Sequence, residues 1–171
     1  MDKQRNGLPE DIRRRMTSML NSHLAAAIDL HGQVKQAHWN IRGRQFIGLH
    51  ELFDTIAGDV DEWSDLIAER AGALGGIAAG TVQVAAAQSY LLSYPLTIAD
   101  GEAHASALAN ALAAFAGRVR GAIDEAAGGG DAVTADVLTG IVRAADQAVW
   151  KLDSHLDPAQ SILSQTQGAS L

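Results

Sequence analysis

Between residues 38 and 69 the chain gathers His38, His50, Asp54, Asp65 and Glu69, two imidazoles and three carboxylates. That donor set suits ferrous iron, manganese or zinc, and not copper(I) or an iron–sulfur cluster. The spacing narrows the possibilities. His50 and Asp54 are four apart, as are Asp65 and Glu69, so each pair shares one face of a helix. Asp54 and Asp65 are three turns apart, so both pairs lie along the same side, about 16 Å from one another. One straight helix cannot carry both pairs to one ion. Two copies packed antiparallel about a two-fold axis can, because position n then faces a constant minus n. His50 and Glu69 share the sum 119 with Asp54 and Asp65, so one register sets His50 against the partner subunit's Glu69 and Asp54 against the partner subunit's Asp65. A two-fold interface requires this kind of self-complementarity.

The rest of the chain must supply helices to hold those residues. With 171 residues, 47% of them apolar, there is enough for one domain with a core. Aromatics are only 5%, alanine is abundant and there are three prolines, a composition that favours helix over sheet. The absence of cysteine excludes disulfides and thiolate metal sites. A formal charge of −7 is unlike that of a general polyanion binder. No signal peptide and no membrane-length apolar run is visible, so a cytoplasmic protein is expected.

Periodicity predicts four long helices. The first starts at Pro9, with Glu10 and Asp11 suited to the positive helix end, and runs to about Asn40 with Met16, Leu20, Leu24, Ile28 and Val34 as its stripe. The second spans about Phe46 to Leu74 and is stopped by Gly75 and Gly76; Leu49, Phe53, Ile56, Val60, Leu66 and Ile67 form its stripe. The third spans about Asp100 to Ala127, with Leu108, Leu112, Phe115, Val119 and Ile123 inward, and ends at three glycines. The fourth spans about Asp131 to Leu156, with Val133, Val137, Leu138, Ile141, Val149 and Leu152, and ends before Asp157-Pro158. The long connection between the second and third contains a short alanine-rich helix, Val82 to Gln88. This is an all-α, ferritin-like four-helix bundle with a short extra helix in its crossover. The bundle should occupy residues 9–156, between mobile tails at 1–8 and 157–171. Because each helix buries one stripe, the ligands should project from another face.

The segment Lys35-Gln36-Ala37-His38-Trp39-Asn40, then Gly43, Phe46, Leu49-His50-Glu51, Asp54, Asp65 and Ala68-Glu69-Arg70, resembles the Dps proteins, the mini-ferritins named for DNA binding in starved cells. Leu74-Gly75-Gly76, Gly80-Thr81 and Ser93-Tyr94-Pro95-Leu96 match as well. The resemblance covers roughly residues 20 to 155. It implies a homo-dodecamer of two-fold dimers that oxidises Fe(II), with hydrogen peroxide in preference to oxygen, and stores ferric mineral in a hollow shell. It implies two iron positions per intersubunit site, with His38, His50 and Asp54 from one subunit and Asp65 and Glu69 from its mate. On that pattern Glu69, His38 and Asp65 make the first position, and His50 and Asp54 a second, weaker one. Larger ferritins use Glu-x-x-His motifs inside one bundle, and this chain has none.

Other residues carry open alternatives. Trp39 is an electron donor or a helix-end packing aromatic; Trp63 and Trp150 are interface or core. Lys35 and Arg70 pair with carboxylates around the metal or stabilise the subunit contact. His31 faces the same way as His38 and could join a metal path, whereas His23, His104 and His155 read as surface or packing residues. Glu51, Asp59, Asp61 and Glu62 read as a solvated face. Asp124, Glu125, Asp131 and Asp136 would line a three-fold pore, on the resemblance, or cap helices. DNA binding would fall to Lys3, Arg5, Arg13, Arg14 and Arg15, multiplied over the shell, and would bring nucleoid association. Against it, twelve chains carry about −84. A nucleoid protein for which iron is secondary is therefore the alternative function. A structural zinc bundle fits less well, because closed zinc sites prefer thiolate or imidazole ligands.

Overall fold

Among the described residues five helices form where the apolar stripes require them: α1 (Glu10–Asn40), α2 (Phe46–Ala73), α3 (Val82–Gln88), α4 (Gly101–Gly128) and α5 (Ala132–Asp153). The computed structural model describes residues 6–156. The expected C-terminal tail, most of the N-terminal one, and with them Lys3 and Arg5, lie outside the described residues. Helices α1 and α2 pack as one hairpin and α4 and α5 as another, and the two hairpins join into the bundle. The crossover from α2 to α4 lays α3 against α1. Among the described residues no helix is long and apolar enough to cross a membrane.

The core is the expected set of stripes. Phe53, Phe115, Met16, Leu20 and Leu30 are fully buried, and Ala25, Ala26 and Ala27 let α1 sit close to its neighbours. Trp63 stacks on Phe115 with centroids 6.1 Å apart. Two expectations fail at the surface. Leu66 is 40% and Val133 58% exposed. Val133 sits in the first turn of α5, one residue ahead of the inward-facing Thr134, and so points off the stripe. Trp150 is also exposed, so of the two tryptophans read as core or interface only Trp63 is core.

Chain ends of helices are fixed by backbone geometry. Gly75 takes φ +80°, and Gly76 N–H donates back to Ala71 O at 3.0 Å, closing α2 as a Schellman motif. A side chain at Gly76 would strike Thr17. Asp131 caps α5 by accepting from Thr134 N–H at 3.0 Å. The end of the crossover is tied to the α1–α2 turn, where Arg42 N–H donates to Ala99 O at 3.0 Å.

Arg70 is held inside the protomer, not at the metal-ligand face. Its Nη2 lies 2.7 Å from Asp131 Oδ1 and its Nε donates to Thr134 Oγ1 at 2.8 Å. Asp131 is buried, so it serves as a helix cap and ion-pair partner instead of lining a pore. Removing one member of a buried pair strands the other charge. Arg70→Ala should therefore cost about 3 kcal/mol or more. Arg120→Ala, which breaks the half-exposed pair with Asp146, should cost less than about 1 kcal/mol. Urea unfolding of the two variants beside the parent checks the contrast.

Candidate metal centre

The last turn of α1 and the first turn of α2 bring His38 and His50 together by a reciprocal pair of hydrogen bonds. His38 Nδ1 lies 2.9 Å from the His50 carbonyl, and His50 Nδ1 lies 2.9 Å from the His38 carbonyl. A carbonyl only accepts, so each Nδ1 carries the proton and donates. Each Nε2 is left with a free lone pair. A backbone carbonyl behind the ring is the usual means of fixing the tautomer and orientation of a metal-binding histidine. The two rings stack with centroids 3.8 Å apart, and Phe46 stacks on His50 at 4.9 Å. Neither imidazole can turn without losing a hydrogen bond and a stacking partner.

Asp54 joins this corner, one turn along α2 from His50. Its Oδ1 is 3.8 Å from His38 Nε2 and accepts from Lys35 Nζ at 2.7 Å. The Lys35 hydrogen bond, then the Lys35 charge, hold the Asp54 carboxyl below the usual carboxylate range. Of the two roles open to Lys35, pairing with a carboxylate of the candidate site is the one observed.

Asp65 and Glu69 are exposed and lie further along α2. Among the described residues no three His, Asp or Glu side chains of one protomer converge enough to hold a metal ion. His38, His50 and Asp54 are neighbours at this corner without closing into a metal-holding group, and Asp65 and Glu69 stand apart from them. What joins them is a stripe. Ile47, His50, Asp54, Gly58, Asp61, Asp65, Glu69 and Gly72 follow one another at steps of three and four, so they form one line along α2. All except the half-buried His50 are exposed, as the separation of ligand face from core required. A Cβ at Gly58 or Gly72 would meet nothing within 4 Å.

Of the remaining histidines, His23 and His104 are buried and each is hydrogen-bonded to a tyrosine, and His31 is half-buried on α1. His155 Nδ1 lies 3.2 Å from Gln45 Oε1. Trp39 is 67% exposed, with Lys35 Nζ 6.0 Å from its ring. Glu51, Asp61 and Glu62 are exposed, whereas Asp59, read with them as a solvated face, is half-buried. The basic group suggested for DNA needs correction. Arg13 is buried and its Nη1 donates to Leu74 O at 2.9 Å, tying α1 to the end of α2, so it is not offered to a polyanion. Arg14 pairs with Glu10 at 3.5 Å and Arg15 with Glu125 at 3.3 Å.

The reciprocal histidine bonds had no signal in the sequence, because a backbone carbonyl acceptor does not depend on residue type. A family model, the ferritin-like domain, matches residues 17–162. The DNA protection during starvation protein of Agrobacterium fabrum is 40% identical over 154 residues, covering 90% of this chain and 95% of the relative. The chain belongs to the Dps family of ferritin-like proteins. Among solved Dps structures, DpsA14 of Streptomyces coelicolor superposes with a TM-score of 0.87 at 33% identity, over 93% of this chain and 94% of that one. Dps of Microbacterium arborescens, solved in a high-iron form, matches with a TM-score of 0.80 at 29% identity, over 87% and 96% of the two chains. The short helix in the crossover lies at Val82–Gln88, the position that the resemblance to Dps marked out.

The Asp54 geometry yields a direct test. Its pKa is depressed, so in the metal-free protein it stays ionised at pH values where an ordinary aspartate begins to protonate. Lys35→Met removes the largest cause, so the Asp54 midpoint should rise toward the ordinary value. Carbon-13 titration of the aspartate carboxyls, with Asp54→Asn for assignment, reads this directly; an unmoved midpoint would separate Lys35 from Asp54.

Proposed function

We propose that this Dps-family chain is a ferroxidase and iron store whose site is completed by a second copy. In the proposed dimer, α2 of one protomer lies antiparallel to α2 of the other. The register that pairs His50 with the partner's Glu69 and Asp54 with the partner's Asp65 also extends to both ends of the exposed stripe. It sets Ile47 against the partner's Gly72 and Gly58 against the partner's Asp61. Large exposed side chains then face glycines with open space above them. The single observation that carries the reading is the pair of locked imidazoles presenting bare Nε2 atoms beside Asp54, on a stripe that maps onto itself.

Fe(II) is the substrate. Glu69 and Asp65 of one subunit with His38 of the other bind the first ion, and His50 and Asp54 bind the second more weakly. Carboxylates favour the ferric charge, which makes electron loss easier. Two Fe(II) ions give two electrons to one hydrogen peroxide, which takes two protons and leaves as two waters, so no hydroxyl radical is released. Oxygen is the slower alternative oxidant. Twelve subunits enclose the ferric product as mineral, and DNA is protected by removal of the reagents that damage it. Direct coating of DNA is the less supported reading, because Arg13 is buried and Arg14 and Arg15 already have acidic partners. A chain without cysteine suits the reducing cytoplasm in which this chemistry would run.

Glu69→Ala should abolish fast Fe(II) oxidation, as should His50→Ala. Co-expression of the two variants distinguishes a shared site from an internal one. In a mixed dimer one of the two sites recovers every ligand, so random pairing should restore about a quarter of the parent sites. No recovery would contradict the reading. Gly58→Leu provides an independent check. The protomer has room for it, whereas the proposed helix crossing does not, so helical content should hold while light scattering reports loss of the assembly.

A further inference from the structure

The chain has only two tyrosines, and each is hydrogen-bonded to a buried histidine. Tyr94 Oη lies 2.6 Å from His104 Nδ1, with the two rings 11° from parallel. Tyr90 Oη lies 2.9 Å from His23 Nδ1. Neither pair belongs to the candidate metal centre. A burial site for polar rings is costly unless the polar atoms are satisfied, and His104 Nε2 is buried with no hydrogen-bond partner. Packing alone would be met more cheaply by phenylalanine and leucine.

The surroundings of His104 indicate which way the protons lie. His104 Nδ1 is 2.6 Å from the Tyr94 hydroxyl, so we assign the phenolic proton to this bond, with Nδ1 as its acceptor. Burial keeps His104 neutral, and Asp100 and the Asn40 carbonyl work the other way, favouring an imidazolium should one form. Burial also holds the Tyr94 phenol above its ordinary pKa, so it remains protonated. A neutral phenol on a neutral imidazole is the arrangement in which a tyrosine can lose an electron near neutral pH, because the proton made strongly acidic by oxidation has an acceptor in place.

The second pair is built differently. Arg118 lies 5.3 Å over the Tyr90 ring, and burial with the Arg118 charge lowers His23 to about 4. A nearby guanidinium opposes both electron loss from Tyr90 and proton gain by His23. The molecule thus contains its own control. Location favours Tyr94 as well. Phe53 meets the His104 ring edge-on at 6.5 Å and directly precedes Asp54, while Asn40 follows His38 by two residues. Phe53 thus links the His104 ring to the helix that carries Asp54.

We propose that Tyr94 and His104 form a proton-coupled redox site that captures the one-electron oxidant produced when peroxide meets a single Fe(II). This rests on the ferroxidase reading for its source of oxidant. The lone Fe(II) gives one electron to hydrogen peroxide, yielding Fe(III), hydroxide and an oxidant of hydroxyl-radical strength. Tyr94 gives that oxidant its second electron, reducing it to hydroxide, and the phenolic proton passes to His104 Nδ1. A neutral tyrosyl radical and an imidazolium result. A later Fe(II) returns the electron to Tyr94 and the imidazolium returns the proton. The sum remains two Fe(II) per peroxide, with no radical released.

The test needs no iron, so its failure and the failure of the ferroxidase reading are separable. Flash-generated tris(bipyridine)ruthenium(III) oxidises the full-length assembled protein, and freeze-quenched electron paramagnetic resonance reads the radical. The parent should give a neutral tyrosyl signal that narrows when ring-deuterated tyrosine is incorporated. Tyr90→Phe should keep the signal; Tyr94→Phe and His104→Gln should lose it, with helical content unchanged. Should Tyr94→Phe fail to fold, the signal in Tyr90→Phe still decides, since only Tyr94 then remains. A signal lost in Tyr90→Phe, kept in Tyr94→Phe, or resting on a tryptophan in the parent overturns the proposal.

Discussion

The two crossed hydrogen bonds between His38 and His50 are the constraint on which the candidate centre depends. Each ring is anchored to the backbone of the opposite helix, so the α1–α2 hairpin cannot shift without turning both imidazoles. The same bonds fix the tautomers and leave both Nε2 atoms as acceptors. Rotational freedom that a ligand would otherwise give up on binding is already lost in the fold. The adjoining turn is held by Arg42, bonded to the end of the crossover, and by Gly101, where a side chain would press on Leu49. Packing at this end of the bundle therefore reaches the donor atoms through one layer of residues.

The inward-facing arginines serve the fold, and the outer α2 stripe carries the candidate ligands. Arg13 ties α1 to the C-terminus of α2, and Arg70 ties α2 to the start of α5 through Asp131 and Thr134. Both contacts pin the C-terminal end of α2, while the crossed histidine bonds hold its N-terminal end. Asp54, Asp61, Asp65 and Glu69 on that line repel one another in the separated protomer. A cation shared between two copies would relieve that repulsion, and the stability of the assembly would then depend on metal.

Much of this was legible in the sequence because helical periodicity is local. The stripes of Met16, Leu20 and Leu24 and of Leu108, Leu112 and Phe115 located the core, and the alanine-rich run bounded α3 at Val82–Gln88 as the structure has it. The separation of the ligand face from the core also followed from spacing. Contacts between residues far apart in the chain did not. Arg70 meets Asp131 across 61 positions and Arg13 meets Leu74 across another 61, and nothing in their neighbours distinguishes a buried arginine from a solvated one. Val133 and Leu66 were misplaced because an apolar residue fits a stripe by type even where its angle is wrong. The His23–Tyr90 pair was invisible for the same reason, its members being 67 residues apart; Tyr94 and His104 are only 10 apart, but they meet where the irregular end of the crossover turns onto α4, which periodicity does not describe.

The central claim, that neighbouring protomers jointly hold ferrous iron along α2, is tested most directly by locating the ion. Anomalous diffraction from crystals loaded with Fe(II) under anaerobic conditions would do so. The account predicts iron density at the protomer boundary, within bonding distance of His38 or His50 Nε2 on one side and of the partner's Glu69 on the other. Iron bound wholly within one protomer, or a two-fold contact in which His50 and the partner's Glu69 do not face, would contradict it.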